Sequence, residues 1–549
     1  MPTITFSLKD LQNLVGKKLT IEEIESLASY GKGEFENYDK DTDEVSISFG
    51  DTNLPYLWSV EGVARLFKGL INKEKGIPEL EIFKESKHEL IVDKSVSKIR
   101  PYISAFVAKG CKVDDYLIKQ LIDLQEKFCE SYGRRRKKVA IGVYNYKKIK
   151  FPITYKATSP ESIKFTPLEF KKEMTQQEIL EGHPKGKEYA WILEGFNQYP
   201  LLVDNENNIL SFPPIINSNY SGKIDIGDEN LFFEATGDDL NAVLLAANIF
   251  SQAFYDRGFR IDAVDIKYPD KKITTPFMFD ETIKITKEQI KNLIGLDLKD
   301  EEIKKLAERM RYDYKEGKVK IPDYRKDIIH PNDVIEDIAI SYGYNNIKPE
   351  SLKTFTPGKT FEINKFINKS REILVGLGYQ EVMSAILSNK KVLYENMNME
   401  DFGTIEIKEY MSETYSVVRT WLLPILMEVL SKNKHVDYPQ KIFEQGLVTV
   451  KKGEDIYDYH RIALLSANKD ADFTEAKQAL DLIMRLLGIK YEIKEAEHNS
   501  FIPGRVGRVI SNNKKVGFIG EFSPEVLKNN DLNVPVVGFE VNLTELFLI

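Results

Sequence analysis

Apolar and polar side chains along this chain repeat with two periods, and the switches between them mark its elements. Period-two alternation predicts strands at 3–6 and 45–49. Helical spacing predicts short helices at 9–15 and 21–27. After Pro55, Val60, Val63, Ala64 and Phe67 form one apolar stripe. Over 114–129, Leu117, Leu121, Leu124 and Phe128 share a helix face. Short apolar runs at 104–109, 139–143, 190–193 and 231–235 read as strands. A long helix at 239–257 turns Leu240, Val243, Leu244, Ala247, Phe250 and Phe254 inward. Thr286 and Gln289 have capping-box spacing before a helix that Gly295 stops. Ile303, Leu306, Ala307 and Met310 then repeat at i, i+3, i+4 and i+7, followed by a strand at 318–321 and a helix ended by Gly343. The last third predicts helices at 363–377, 421–431 and 474–487, with strands at 379–387, 441–450, 461–467, 516–520 and 537–543.

These switches divide the chain into four parts. Residues 1–85 read as an α/β domain, and 86–268 as a region rich in long-range strand pairing. Residues 269–347 give two short helices, a strand and a third helix, a winged-helix-like module. Residues 355–549 read as an antiparallel sheet flanked by helices. The fold class is multidomain α+β. A chain of 549 residues is too long for one core, in line with that division.

Charge and cysteine usage narrow the function classes. With 85 acidic against 77 basic residues the net charge is -8, which argues against wholesale wrapping of nucleic acid. A local basic patch stays open, and Arg134, Arg135, Arg136, Lys137 and Lys138 form one run that faces solvent or lies near a phosphate backbone. Cys111 and Cys129 are the only cysteines, and no Cys/His cluster has zinc spacing. That fits a reducing cytoplasm. No secretion signal or spanning segment is legible. Phosphate-loop, His-Glu-x-x-His and Gly-x-Ser-x-Gly patterns are all missing.

The stretch 321–347, IPDYRKDIIHPNDVIEDIAISYGYNNI, is the densest in chemistry. Asp327, Asp333, Glu336 and Asp337 fall within eleven positions, and the last three stand at i, i+3 and i+4 on one helix face. Such carboxylates repel unless a cation lies among them, and hard oxygen donors with retained waters suit Mg²⁺. A solvated acidic face explains the same spacing. His330 abuts the helix start as a second partner or as an ordinary polar residue.

This stretch resembles the magnesium-binding module of the phenylalanyl-tRNA synthetase beta subunit, which has Arg-x-Asp, a spacer, Asp-x-x-Glu-Glu/Asp and a Tyr-Gly-Tyr-Asn-x-Ile ending. RTWLLPILMEVLSKN with KIFEQGLV, and IPGRVGRVISNNKKVGFIGEFSPEVL with VVGFEVNL, resemble its class II synthetase-like domain. GRRRKKVAIGVYN and SFPPIINS resemble the archaeal and eukaryotic form of its editing domain. The matches run in family order from about residue 100 onward, without the C-terminal extension of bacterial beta subunits.

The resemblance implies a cytoplasmic alpha2beta2 enzyme. The alpha subunit would bind ATP and L-phenylalanine and adenylate the amino acid. This chain would supply assembly, tRNA(Phe) contacts and editing, with 86–268 as the editing domain. Asp327, Asp333, Glu336 and Asp337 fall on the family's Mg²⁺ positions. Arg419 is followed by Thr420, Trp421 and Leu422, and the late Gly-x-Gly-x-Glu-Arg of catalytic class II domains is missing. Arg505 and Arg508 stand in another pattern and read as interface or surface charge. Editing has a physical motive, because an apolar pocket rejects an added hydroxyl only weakly. Ser211, Asn217, Glu234 and Thr236 are the candidates for hydrolysis of Tyr-tRNA(Phe), with Leu202 as a pocket wall. Glu234 and Thr236 share one side of a strand. Ser211 equally suits a turn or cap before Pro213 and Pro214. Two other functions stay open: an RNA-binding scaffold without activity, and a free-standing deacylase of mischarged tRNA.

Overall fold

The computed structural model describes residues 2–352 and 354–549, which form two compact units, one ending at Glu350 and the other beginning at Ser351. In the first, Thr3–Ser7, Glu44–Phe49 and Gly33–Asp39 make a three-stranded antiparallel sheet with Glu44–Phe49 at its centre. Helices Leu8–Val15, Ile21–Ala28 and Val60–Leu70 start at Ser7, Thr20 and Ser59, whose hydroxyls accept from the first-turn backbone. The strand Gly33–Asp39 has no counterpart in the sequence reading. Its residues are mostly exposed, so no apolar alternation marks it.

A ten-stranded mixed sheet follows. From its middle to one edge, Ile82–Val92, Arg260–Lys267, Tyr102–Lys109, Asn230–Gly237 and Val139–Asn145 lie side by side in that order. The helix Leu240–Asp256 packs on it, with Phe250 against Phe233 at 4.9 Å between ring centres and Phe233 stacked on Phe106 at 4.7 Å. On the far side of this sheet Leu90, Tyr155, Leu202 and Phe232 form a second core. The run 190–193, expected as a strand, is a 3-10 turn continuing the helix Pro184–Tyr189. Four apolar residues without alternation are compatible with either state, and the preceding helix decides.

Three helices, Lys287–Ile294, Asp300–Arg309 and Pro331–Tyr342, stand beside a small sheet of Thr282–Lys284, Lys318–Lys320 and Asp313–Lys315.

The second unit is built on a seven-stranded sheet in the order Gln380–Glu381, Gln440–Lys452, Asp455–Ala467, Val536–Asn542, Lys514–Phe522, Phe501–Ser511 and Glu492–Glu495. Only the first pairing is parallel. Gly453, at φ 65°, makes the tight turn of the long hairpin. Helices Glu362–Gly376 and Phe473–Leu487 bury Leu374, Leu480 and Ile483 in a core with Ile462 and Phe539, while Leu423–Lys432 contributes Leu426 and Leu430 to a separate core. The expected strand 379–387 shortens to Gln380–Glu381 and Leu387–Ser388, which pair in different sheets. No helix among the described residues is long and apolar enough to cross a membrane.

Candidate active site and acidic helix

A cavity of about 640 Å³ opens beside the edge of the ten-stranded sheet, and Ser211, Asn217, Glu234 and Thr236 all line it. The strand Asn230–Gly237 brings Glu234 opposite Gly142 and Thr236 opposite Ala140. The edge pairing of Ile209–Phe212 with Ile216–Asn217 sets Ser211 opposite Asn217. Between these strands stands Tyr144, fully buried, whose hydroxyl donates to Glu234 Oε1 at 2.8 Å and lies 3.2 Å from Asn217 Oδ1. Among the described residues Glu234 Oε2 and Ser211 Oγ are buried without a hydrogen bond of regular geometry. A buried polar atom left so is costly, and a guest that bonds to it recovers that cost.

Burial pushes the Glu234 carboxyl up to about 8, against the opposing pull of the Tyr144 hydrogen bond and the Arg100 charge. It is therefore mostly neutral at pH 7, a hydrogen-bonding group more than a base. Folding favours its protonated form. Its contribution to stability is present in full below about pH 4.5 and is lost as pH rises through about 8. Glu234→Gln should accordingly gain in thermal midpoint over wild type as pH is raised from roughly 6 to roughly 9. A constant difference across that range would contradict the assignment.

Thr236 has a separate partner. Its hydroxyl accepts from Arg100 Nε at 2.9 Å, and the same buried guanidinium reaches the carbonyls of Thr236 and Lys137. Leu202 is not among the residues that line the cavity; it stands opposite Ser211 in the strand pairing and packs into the core of Leu90, Tyr155 and Phe232. Two contributors, Tyr144 and Arg100, were invisible in the pattern. Tyr144 reads as an ordinary core aromatic, and Arg100 is remote in sequence. Gly142 did leave a signal, since a glycine inside a strand marks a close approach. A Cβ there would sit 2.3 Å from the Tyr144 hydroxyl and 2.7 Å from Glu234 Oε1.

The basic run divides. Arg134, Arg135 and Arg136 occupy left-handed backbone at φ 50°, 52° and 65°. Arg136 turns inward, stacks 4.2 Å over the Tyr189 ring and donates to the carbonyls of Pro214 and Ile215. It braces the loop between Ser211 and Asn217. Arg134, Arg135 and Lys137 are exposed.

The acidic helix is arranged differently from the spacing argument. Asp327, Asp333, Glu336 and Asp337 line one small cavity of about 70 Å³, together with Lys32 and Arg325. The Arg325 guanidinium donates to Asp327 and, at 2.7 Å, to Asp337 Oδ2, which also accepts from Tyr312. Glu336 pairs with Lys32 at 3.0 Å. Asp333 Oδ2 accepts from the backbone of Ile329 and His330, and His330 caps the helix in return. Among the described residues no group of three His, Cys, Asp or Glu side chains is gathered closely enough to hold a metal ion. The donor chemistry still fits a hard cation that keeps waters.

Known proteins resemble the chain along its whole length. It is 43% identical over 557 residues to the phenylalanine–tRNA ligase beta subunit of Pyrococcus furiosus, covering 100% of both chains. The chain belongs to the phenylalanine–tRNA ligase beta-subunit family. The beta subunit of Methanosarcina barkeri is 39% identical over 553 residues, with 100% of this chain and 99% of that one covered. Residues 283–344 match the tRNA synthetase B5 domain, and 349–543 the phenylalanyl tRNA synthetase beta chain CLM domain. A crystal structure of an N-terminal fragment of the phenylalanyl-tRNA synthetase beta subunit from Pyrococcus horikoshii is 41% identical, with a TM-score of 0.60. It covers 62% of this chain and 100% of the fragment. The resemblance read from the motifs is thus that of the family, and the chain is the non-adenylating subunit of a class II ligase.

Proposed function

We propose that this beta subunit edits Tyr-tRNA(Phe) in the cavity around Tyr144, within a cytoplasmic alpha2beta2 ligase whose alpha subunit binds ATP and phenylalanine. The observation that carries this reading is the unpaired Glu234 Oε2. A tyrosine side chain entering the cavity gives it a hydroxyl partner. Phenylalanine leaves it unpaired, at a cost of about 1–3 kcal/mol. That is the asymmetry a site needs to select the analogue with the extra hydroxyl. Ser211 and Asn217 then orient the ester, and water attacks its carbonyl. Preformed Tyr-tRNA(Phe) offered to the assembled protein should release tyrosine faster than Phe-tRNA(Phe) releases phenylalanine. Equal rates would defeat the reading.

Assembly is read through the second unit and the B5 region. Met383 and Met411 are almost fully exposed there, as is much of Phe361, and these side chains are the candidates for contact with the partner subunit. Mixing with the alpha subunit should give an alpha2beta2 mass by light scattering, and a plain heterodimer would count against it.

The four carboxylates of the acidic helix would hold one Mg²⁺, partly through water, near the alpha interface. The ion would relieve their repulsion and tie the loop at Asp327 to the helix, a structural role that supplies no nucleophile. Arg325 and Lys32 are its rivals for the same charges. Anomalous scattering after a Mn²⁺ soak of the assembled protein should give a peak among these side chains. Glu336→Gln should lower heat resistance or assembly more than it changes the chemical step.

A further inference from the structure

The second unit contains a cavity of about 510 Å³ that the proposed function leaves unused. We propose that it binds a nucleoside phosphate, with the phosphate held by Arg508 and Lys515 and the base against a wall of neutral rings. Neighbouring strands of the seven-stranded sheet supply its floor. Their register sets Arg508 opposite Phe518, and Phe518 opposite Glu540, in one row across three strands. Arg461 enters from the next strand.

The charges are unevenly matched. Glu540 is fully engaged: Oε1 accepts from Arg461 at 2.9 Å, and Oε2 accepts from the N–H groups of Leu422 at 2.8 Å and Leu423 at 3.0 Å. Arg508 has no ion pair or hydrogen bond among the described residues, and its guanidinium lies 4.0 Å from the Phe518 ring centre. Lys515 at the rim is also unpaired among the described residues, and the one other carboxylate lining the cavity, Glu497, is exposed. Among the described residues the Nε atoms of Arg461 and Arg508 are both buried without a partner. Two half-buried guanidiniums with a carboxylate for only one of them is an unfavourable arrangement, which an entering anion relieves through charge-assisted hydrogen bonds.

Four rings stand among the aliphatic and amide residues of the remaining wall. Phe402, Trp421, His498 and Phe518 form a chain of ring contacts at 6.0, 5.9 and 4.6 Å. Trp421 is fixed by its indole N–H on the Leu393 carbonyl at 3.0 Å. Burial, with the nearby Arg508 charge, holds His498 down at about 4, so it adds a ring and no cation. Rings of this kind stack on any nucleobase. The volume is in the range of small-molecule sites and far exceeds a lone inorganic anion. A free aromatic amino acid fits less well, because it carries no net negative charge and its ammonium would add a fourth positive charge beside Arg461, Arg508 and Lys515.

The test is photolabelling of the assembled protein with 8-azido-AMP, followed by peptide mapping. Label is expected on this chain near Phe402, Trp421 or Phe518, displaced by excess AMP and not by phenylalanine. Arg508→Gln should cut labelling at least ~10-fold. Without nucleotide its thermal midpoint should stay level or rise, because an unpaired cation has been removed. Arg508→Lys, which keeps the charge, should restore part of the labelling. Label confined to the partner subunit, label unchanged in Arg508→Gln, or displacement by phenylalanine alone would overturn the proposal. So would a lowered midpoint in Arg508→Gln with no recovery in Arg508→Lys, which would make Arg508 a structural residue.

Discussion

Glu234→Ala should slow hydrolysis of Tyr-tRNA(Phe) by roughly 10–100-fold while phenylalanine charging stays within about twofold of wild type. The expectation rests on geometry. Glu234 lines the cavity, its second oxygen is buried without a partner among the described residues, and Tyr144 fixes the first. Truncation removes the acceptor or donor that tyrosine's hydroxyl would use. The synthetase-like unit, in which Arg419 and its neighbours lie, is a separate compact unit, so the two activities should separate. Thr236→Ala should act in the same direction and more weakly, because its hydroxyl engages Arg100. Accumulation of Tyr-tRNA(Phe) in a charging assay with tyrosine is the measurement. Undiminished deacylation in both variants would place the editing site elsewhere.

The chain by itself should charge no tRNA above background, and addition of the alpha subunit should restore charging that depends on phenylalanine, ATP and Mg²⁺. The late arginine motif is missing from the sequence, and the structure accounts for the other arginine. Arg419 is 2% exposed. Its guanidinium is held by Glu444 Oε1 at 2.6 Å, Ser384 Oγ at 2.9 Å and the Leu447 carbonyl at 2.9 Å. Gly446 leaves just enough room, since a Cβ there would stand 2.1 Å from Arg419 Nη2. Freeing this arginine to meet a triphosphate would break a buried ion pair, at a cost of about 3–5 kcal/mol. It has become a packing element. Aminoacylation by the purified lone chain would refute this.

The sequence by itself determined the elements whose apolar faces repeat. The helix Phe473–Leu487 and the inner parts of the strands Gln440–Lys452 and Asp455–Ala467 were legible because a buried face imposes a period on the residues that build it, and the helix Leu240–Asp256, buried on every side from Ala242 to Phe254, was legible from its long apolar run. It also determined the family, through motifs that lie in order along the chain. The tertiary structure alone decided what those motifs do to one another. Tyr144 and Glu234 are 90 positions apart, and Arg100 lies 136 from Thr236, so no local pattern could pair them. The same holds for the acidic helix. Spacing put three carboxylates on one face and left their counter-charge open. Folding supplied Lys32 and Arg325, the first from the turn before the strand Gly33–Asp39 and the second from the loop before the helix. Periodicity records which side of an element is dry. Which charges meet depends on long-range strand register and on packing between elements, and neither leaves a local trace in the chain.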